Sequence, residues 1–161
     1  MKKVLIVEDE ILARLGLRQL VDWRKLELEL LPDATDGEEA LKMIRNSCPD
    51  IILLDLNIPK VSGLEILEFL KKEEMPTKVI VVSCQEEFDV VKKAMKLGAY
   101  DYLRKLNLSS DELENILEKC LVETEERITV HMQGIREIRY EEIVRDSRDI
   151  LAGACNYQTL I

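Results

Sequence analysis

Five short apolar runs alternate with segments of helical period, and this alternation restricts the fold more than any other feature of the chain. The runs lie at residues 3–7, 28–32, 51–55, 78–82 and 99–103, and the helical segments at 10–23, 36–44, 62–70, 86–98 and 109–121. Strands that alternate with helices form parallel sheets through right-handed crossovers. We therefore predict an α/β fold, with a five-stranded parallel sheet and helices on both of its faces.

The third run, IILLD, ends in a carboxylate where the chain should be buried. Residues 51–54 are all apolar, which is typical of a strand covered on both faces. A charge at the end of such a strand is costly unless another group pairs with it. Asp55 is therefore a candidate functional residue.

Local signals support the helices. Asp36 is a predicted N-cap, and the pairs Ser62–Glu65 and Ser109–Glu112 have the spacing of capping boxes. Apolar residues recur near helical period in the first helix (Ile11, Leu12, Leu15, Leu20 and Val21) and in the last (Leu113, Ile116, Leu117 and Cys120).

Composition excludes some classes of protein. The net charge is −9 and the pI about 4.8, which disfavours nucleic-acid binding by this chain itself because phosphates need clustered Lys and Arg. No apolar run reaches membrane-spanning length, and the apolar run near the start of the chain is too short for the apolar region of a signal peptide. We therefore expect a cytoplasmic protein with no membrane partner. The four cysteines form no C-x-x-C pair and are expected to be reduced thiols packed as small apolar residues.

The character of the chain changes near residue 122. Residues 122–161 are charged and show no alternation of strand and helix. Their heptad pattern is weak, since Thr124 and His131 fall at partner positions. We expect one domain over residues 1–121, then a charged helical linker or tail that begins a truncated downstream region.

Four of the predicted strands end in residues suited to one reaction: Glu8, Asp9 and Glu10 after the first, Asp55 after the third, Ser83 after the fourth and Lys105 after the fifth. Ligands of open parallel sheets bind beyond the carboxyl ends of the strands. Clustered carboxylates can hold a hard divalent cation such as Mg²⁺, and Asp55 could then attack phosphorus. Lys105 and Ser83 would stabilise charge on the phosphoryl oxygens. Taken singly, Asp9 or Glu10 could instead cap the first helix, and Ser83 the fourth.

The fragments VEDE, LLDLNIPKVSG, VVSC and KLGAYDYLRK occur in this order. Together they resemble the receiver domain of two-component response regulators over about residues 2–121, and the finer pattern is similar to receivers of AraC/YesN-type transcriptional regulators. The resemblance implies the flavodoxin-like (βα)5 fold with strand order 2-1-3-4-5. It also implies a sensor histidine kinase as phosphohistidine donor, a homodimer through the fourth-helix to fifth-helix face, and a DNA-binding domain in the full-length protein.

The resemblance also implies roles for individual residues. Asp55 would be the phosphoacceptor, with Lys105 and Ser83 assisting it. Ser83 and Tyr102 would form the switch that remodels the surface of the fourth helix, fifth strand and fifth helix. Mg²⁺ would be held by Glu8, Asp9, Asp55 and the backbone carbonyl of Asn57. Glu8 stands where Asp is commoner, and Ser83 where Thr is.

The largest departure from the family is Leu106, which stands where most receivers have a proline after a cis peptide bond. A cis bond before leucine costs about 3 kcal/mol. We therefore expect the loop either to accept that strain or to adopt a trans bond that moves Lys105.

Two other functions compete with the receiver. The first is an enzyme, a haloacid-dehalogenase-like phosphatase. Such enzymes have a D-x-D motif after a buried strand, but here Asn57 stands where the second acid would follow Asp55. A pseudo-receiver, which binds partners without being phosphorylated, is supported by Leu106 and opposed by the intact acid, hydroxyl and lysine set. We predict a signalling module rather than an enzyme.

Overall fold

The computed structural model describes residues 1–84 and 87–123. In chain order its elements are β1 (Lys2–Val7), α1 (Ile11–Leu20), β2 (Leu28–Leu30), α2 (Gly37–Ser47), β3 (Ile51–Leu54), α3 (Gly63–Lys72), β4 (Lys78–Ser83), α4 (Phe88–Lys96) and β5 (Asp101–Arg104). A fifth helix, α5, occupies residues 110–123 up to the end of the described stretch. The predicted linker lies outside the described residues apart from residues 122–123.

All five strands belong to one parallel sheet in the order β2-β1-β3-β4-β5, which confirms the predicted fold. The register aligns the carboxyl ends of the central strands, because Leu54 of β3 pairs with both Val7 of β1 and Val81 of β4. The residues that follow these strands therefore emerge at the same edge of the sheet.

Strand side chains alternate between two buried layers. Leu5 and Val7 of β1 belong to a cluster that also holds Ile44 of α2 and Ile66 of α3. Val4 and Ile6 of β1 are equally buried but lie outside that cluster, because successive side chains of a strand point to opposite faces. Helices therefore cover both faces, as the continuous apolar runs of β1 and β3 predict.

The helix starts follow the predicted signals. The Asp36 carboxylate accepts the Glu39 backbone N–H at 2.8 Å, and Ser62 with Glu65 forms a complete capping box. The Ser109 hydroxyl accepts the Glu112 backbone N–H at 3.1 Å. These bonds satisfy backbone donors that have no partner within the helix.

Helix α1 is shorter than the helical segment predicted at residues 10–23, and only some of its apolar residues are buried. It ends at Leu20, because Val21 has extended backbone angles. Leu17 and Val21 are buried, whereas Leu12 is 83% exposed. The neighbouring apolar residues Ile11 and Leu15 are also exposed, to a smaller extent. The sequence holds two apolar stripes on this helix, and only the one through Leu17 meets the sheet.

The cysteine prediction is only partly right. Cys120 is buried on α5, in the same stripe as the fully buried Leu113 and Leu117. Cys48 and Cys84 are exposed free thiols, because Cys48 ends α2 and Cys84 follows the last residue of β4. Cys155 lies outside the described residues. Within residues 1–84 and 87–123, no helix is long and apolar enough to span a membrane.

Candidate functional site

The carboxyl edge of the sheet brings together the predicted acids and the lysine. Glu8 follows β1 and is 1% exposed, and Asp55 follows β3 and is 5% exposed. The Asp55 backbone N–H donates to the Val7 carbonyl oxygen at 3.0 Å, which extends the strand pairing by one residue and holds the carboxylate at the edge. Lys105 follows β5 next to the exposed Arg104.

The partner of the buried Asp55 charge is Lys105. The Lys105 ammonium lies 3.1 Å from Asp55 Oδ2 and 2.7 Å from Glu8 Oε2, with the exposed Glu10 Oε1 farther away at 3.9 Å. The second Asp55 oxygen, Oδ1, accepts the Asn57 backbone N–H at 3.1 Å. Each oxygen of Asp55 therefore has a donor, which offsets the cost of burying a carboxylate.

Burial and ion pairing shift the proton affinities of two of these groups. Burial raises the pKa of Glu8 to about 6, against the opposing effect of its hydrogen bond to Lys105. Burial disfavours the charge of Lys105, but hydrogen bonds to Glu8 and Asp55 together outweigh it and raise the pKa of Lys105. Lys105 is therefore a cation at neutral pH, and Glu8 takes up a proton more readily than an ordinary glutamate does.

The loop after Lys105 settles the question raised by Leu106. The described peptide bonds are all trans, yet the lysine still reaches Asp55, so the expectation that a trans bond would move it is wrong. The reason is that the Lys105 backbone N–H donates to the Ser83 carbonyl oxygen at 3.1 Å, which fixes Lys105 to the sheet before the loop turns away. Leu106 is 71% exposed, and the turn is completed at Asn107, where φ is 62°.

Three carboxylates lie close together after β1 and could hold a cation. One side-chain oxygen from each of Glu8, Asp9 and Glu10 lies within 4.8 Å of the others. Both side-chain oxygens of Glu8 already have partners within the protein, since Oε1 accepts the Glu10 backbone N–H at 3.1 Å and Oε2 contacts Lys105. Asp9 and Glu10 are exposed. This all-oxygen set fits the ligand preference of Mg²⁺, and Glu10 is an acid that the predicted metal set had left out.

Neither Glu10 nor Ser83 acts as a side-chain cap of the helix that follows it. Glu10 occupies the N-cap position of α1, but its side chain makes no capping bond. The N-cap of α4 is Glu87, so Ser83 does not cap that helix. Ser83 is instead 1% exposed at the end of β4.

The two predicted switch residues share one face of the sheet. Tyr102 pairs with Val81 across β4 and β5, and Tyr102 packs on the buried cluster that contains Val81. Ser83 is two positions after Val81, so strand alternation directs its side chain to that same face. Tyr102 is half-buried. A change in the position of the Ser83 hydroxyl would therefore occur on the side of the sheet where Tyr102 packs.

Beside the lysine lies an apolar cavity of about 200 Å³ between α1 and the loop after β5. Its lining comprises Ala13, Gly16, Leu17, Leu20, Val82, Lys105 and Leu108. Gly16 contributes no side chain, and a Cβ there would contact nothing within 4 Å. The exposed apolar residues Ile11, Leu12 and Leu15 belong to the same helix but do not line the cavity.

Comparison with known proteins agrees with this geometry. Residues 4–118 match the response regulator receiver domain family. The positive alginate biosynthesis regulatory protein of Pseudomonas aeruginosa is 40% identical over 117 residues, which cover 73% of this chain and 46% of that protein. The uncharacterized transcriptional regulatory protein YesN of Bacillus subtilis is 29% identical over 141 residues, or 88% of this chain and 38% of that protein.

A solved structure has the same fold. The REC domain of AraT, a response regulator from Geobacillus stearothermophilus, is 31% identical with a TM-score of 0.71, and the match covers 78% of this chain and 97% of that one. The chain spans about half the length, or less, of the curated relatives that it matches.

Proposed function

Because this chain belongs to the response regulator receiver domain family, we propose that it is switched by transfer of a phosphoryl group from a sensor histidine kinase to Asp55. The observation that carries the proposal is the contact between the buried Asp55 carboxylate and the Lys105 ammonium at the carboxyl edge of the sheet. Buried carboxylates are rare without a specific role or partner, and this one faces the only edge where such sheets bind ligands.

Asp55 Oδ2 would be the attacking atom. Its companion Oδ1 is held by the Asn57 backbone N–H, which fixes the plane of the carboxylate. As the new oxygen–phosphorus bond forms, the phosphorus–nitrogen bond of the donor phosphohistidine breaks and the electron pair returns to the imidazole. Hydrolysis of the acyl phosphate would later restore the carboxylate.

Lys105 supplies positive charge at the point where the transferred group acquires negative charge. Its ammonium already lies between Glu8 and Asp55, so it needs little movement to contact a phosphoryl oxygen. A Mg²⁺ ion held by Glu8, Asp9, Asp55 and the Asn57 carbonyl would add the further charge stabilisation that phosphoryl transfer requires. Ser83 would donate its hydroxyl proton to another phosphoryl oxygen.

The switch would follow from that last contact. A phosphoryl group adds strong acceptor oxygens, and the Ser83 hydroxyl would move toward them. Tyr102 would then turn into the space that Ser83 leaves, and the surface of α4, β5 and α5 would change. A ligand can shift an equilibrium only through contacts that differ between two states, and this hydroxyl contact exists in the phosphorylated state alone.

The donor protein would approach over α1 and the loop after β5. The apolar residues Leu12 and Leu106 are both strongly exposed, and the cavity lined by Gly16 and Leu108 joins these two elements. Apolar surface exposed around a reactive group is typical of a protein-binding site. We therefore expect Leu12→Ser to slow transfer from the kinase while leaving uptake from a small acyl phosphate unchanged.

The output would lie in the rest of a longer regulator. YesN, one relative, is a transcriptional regulatory protein, and we propose that this chain acts in the cytoplasm. We propose that a DNA-binding domain follows this chain and that the surface of α4, β5 and α5 forms a homodimer when Asp55 is phosphorylated. An enzyme acting on small phosphoesters is disfavoured, because Asn57 stands where its general acid would be needed.

The direct test is intact mass spectrometry after incubation with Mg²⁺ and acetyl phosphate. We expect one added phosphoryl group, absent after Asp55→Asn and in the presence of a chelator. Asp111→Asn is the matched control, because it removes one exposed carboxylate from the start of α5 and should leave uptake unchanged. If the wild-type protein takes up no phosphoryl group while binding Mg²⁺, the chain is a pseudo-receiver and the proposal is wrong.

A further inference from the structure

We propose that Arg14 is the positioning residue that fixes the acidic segment after β1 for metal binding, an inference that rests on the proposed function. The Arg14 Nη1 group donates to the carbonyl oxygens of Glu8 at 3.0 Å and Asp9 at 3.1 Å. The Arg14 backbone N–H donates to the Glu10 carbonyl oxygen at 3.0 Å. That backbone bond is the ordinary first bond of α1, so the contribution specific to the arginine side chain is its pair of bonds to the Glu8 and Asp9 carbonyl oxygens.

The acidic segment has few other restraints near its end. The Glu10 backbone N–H donates to Glu8 Oε1 at 3.1 Å, but the Glu10 side chain makes no capping bond at the start of α1, and Asp9 is exposed. The Glu8 backbone N–H is tied to the Ala34 carbonyl oxygen at 3.0 Å, which holds the first of the three residues only. Without Arg14, the backbone at Asp9 would lack a side-chain donor that limits its rotation.

Arg14 is itself held from the opposite side. Its Nε lies 3.9 Å from Asp33 Oδ2, and both side chains are mostly buried, with 17% and 15% exposure. Asp33 is in turn bound by Arg18, whose Nε donates to both carboxylate oxygens at 3.1 and 2.9 Å. The guanidinium therefore has a fixed place under the acidic segment, which a flexible surface arginine would not have.

Charge alone and positioning predict opposite results when Arg14 is removed. A cation close to Glu8, Asp9 and Glu10 repels Mg²⁺, so loss of its charge should strengthen metal binding by Coulomb's law. Loss of the two Nη1 bonds to the Glu8 and Asp9 carbonyl oxygens should weaken binding, because outer groups that orient metal ligands typically contribute about 10–100-fold to affinity. The sign of the change therefore separates the two roles.

The experiment is a calorimetric Mg²⁺ titration of the full chain, comparing the wild type with Arg14→Met. We expect the dissociation constant to rise about tenfold, near the lower end of the range for such groups. Arg24→Met removes the same charge from an exposed residue of the turn after α1 and should bind Mg²⁺ as the wild type does. Unchanged or tighter binding by Arg14→Met would overturn the proposal.

A second variant and a second readout keep the test decisive. If Arg14→Met does not fold, Arg14→Lys keeps the charge but has a single side-chain nitrogen, which cannot lie beside Asp33 and contact both carbonyl oxygens as Nε and Nη1 of Arg14 do together. Wild-type affinity in that variant would also overturn the proposal. In phosphoryl uptake from acetyl phosphate, we expect the half-saturating Mg²⁺ concentration to rise and the rate at saturating Mg²⁺ to stay near that of the wild type. A role in stability alone would lower the unfolding temperature without moving that concentration. Failure of the wild type to take up phosphoryl would instead refute the proposed function.

Discussion

Gly63 is the position where the smallest substitution should disturb both the fold and the site. It is the first residue of α3, and its backbone N–H donates to the Leu56 carbonyl oxygen at 3.0 Å. A Cβ added there would lie 2.6 Å from Leu56 Cα and 2.8 Å from the Asp55 carbonyl oxygen. Both atoms belong to the backbone, so no change of rotamer can relieve the contact and the loop that carries Asp55 must move.

The expected cost of Gly63→Ala follows from two opposing effects. Overpacking a tight site costs about 1–3 kcal/mol, and contacts with backbone favour the upper half of that range. Alanine gains up to about 1 kcal/mol over glycine inside a helix, and less at the first helical position. We therefore expect the free energy of unfolding to fall by about 2 kcal/mol. Phosphoryl uptake should slow by about tenfold, because small displacements of reacting groups are costly.

Urea unfolding followed by the fluorescence of Trp23 would measure this change. Trp23 is the single tryptophan of the chain, it is buried, and its Nε1 donates to the Arg18 carbonyl oxygen at 3.0 Å. Gly16→Ala is the matched control, because a Cβ there meets nothing within 4 Å, and it should gain up to about 1 kcal/mol. A Gly63→Ala protein as stable as the wild type would refute the packing argument.

Four further substitutions test other parts of the structure by urea unfolding in metal-free buffer. Because burial raises the pKa of Glu8 from 4.5 to about 6, the folded state holds a proton that the unfolded state releases. Stability from this group is therefore lost as pH rises from 4.5 through about 6, and the wild type should lose up to about 2 kcal/mol relative to Glu8→Gln between about pH 4 and pH 7. Lys105→Met leaves two buried carboxylates without their cation and should cost about 2 kcal/mol at neutral pH, below the value for a fully buried pair because Glu8 can take up a proton. Leu117→Ala empties a fully buried position on α5 and should cost about 2–5 kcal/mol. Ser62→Ala removes the N-cap of α3 and should cost about 1 kcal/mol.

Three of these four predictions have a specific outcome that would contradict their reasoning. A constant difference between the wild type and Glu8→Gln across that pH range would mean that Glu8 has an ordinary pKa when the protein is folded. An unchanged stability of Lys105→Met would show that the ion pairs add nothing beyond the cost of burying the lysine. A loss below about 1 kcal/mol in Leu117→Ala would mean that α5 packs less closely than its burial indicates.

The site was predictable to the extent that strand ends are predictable. Asp55 follows a continuous apolar run, so the sequence indicated both its burial and its place at the sheet edge. The sequence did not indicate that Lys105 approaches Glu8 more closely than it approaches Asp55. That preference depends on the path of the loop after β5, where the bond between the Lys105 backbone and Ser83 acts, and no local pattern encodes a bond between separate strands.

The buried face of α1 was not predictable from the sequence, for a related reason. Ile11, Leu12 and Leu15 are as apolar as residues that the fold buries, and their spacing is compatible with a core-facing helix. Periodicity shows that a helix has an apolar stripe, but it does not show which of two stripes meets the sheet. That choice is made by the register of β1 and by the short segment from Glu8 to Glu10 that sets the rotation of the helix. The role of Arg14 was not predicted because its partners are backbone carbonyl groups, which no side-chain pattern in the sequence indicates.

The sequence by itself determined the order and type of the elements, the parallel sheet, and the acid at the end of β3. These features follow from continuous apolar runs, from the helical period of 3.6 residues and from the general rules of parallel connections. Only the tertiary structure decided which cation neutralises Asp55, which face of α1 remains exposed, and how Lys105 keeps its place before a trans peptide bond. These features depend on contacts between residues as far apart as Asp55 and Lys105, whose geometry is fixed only when strand register and loop path are fixed together.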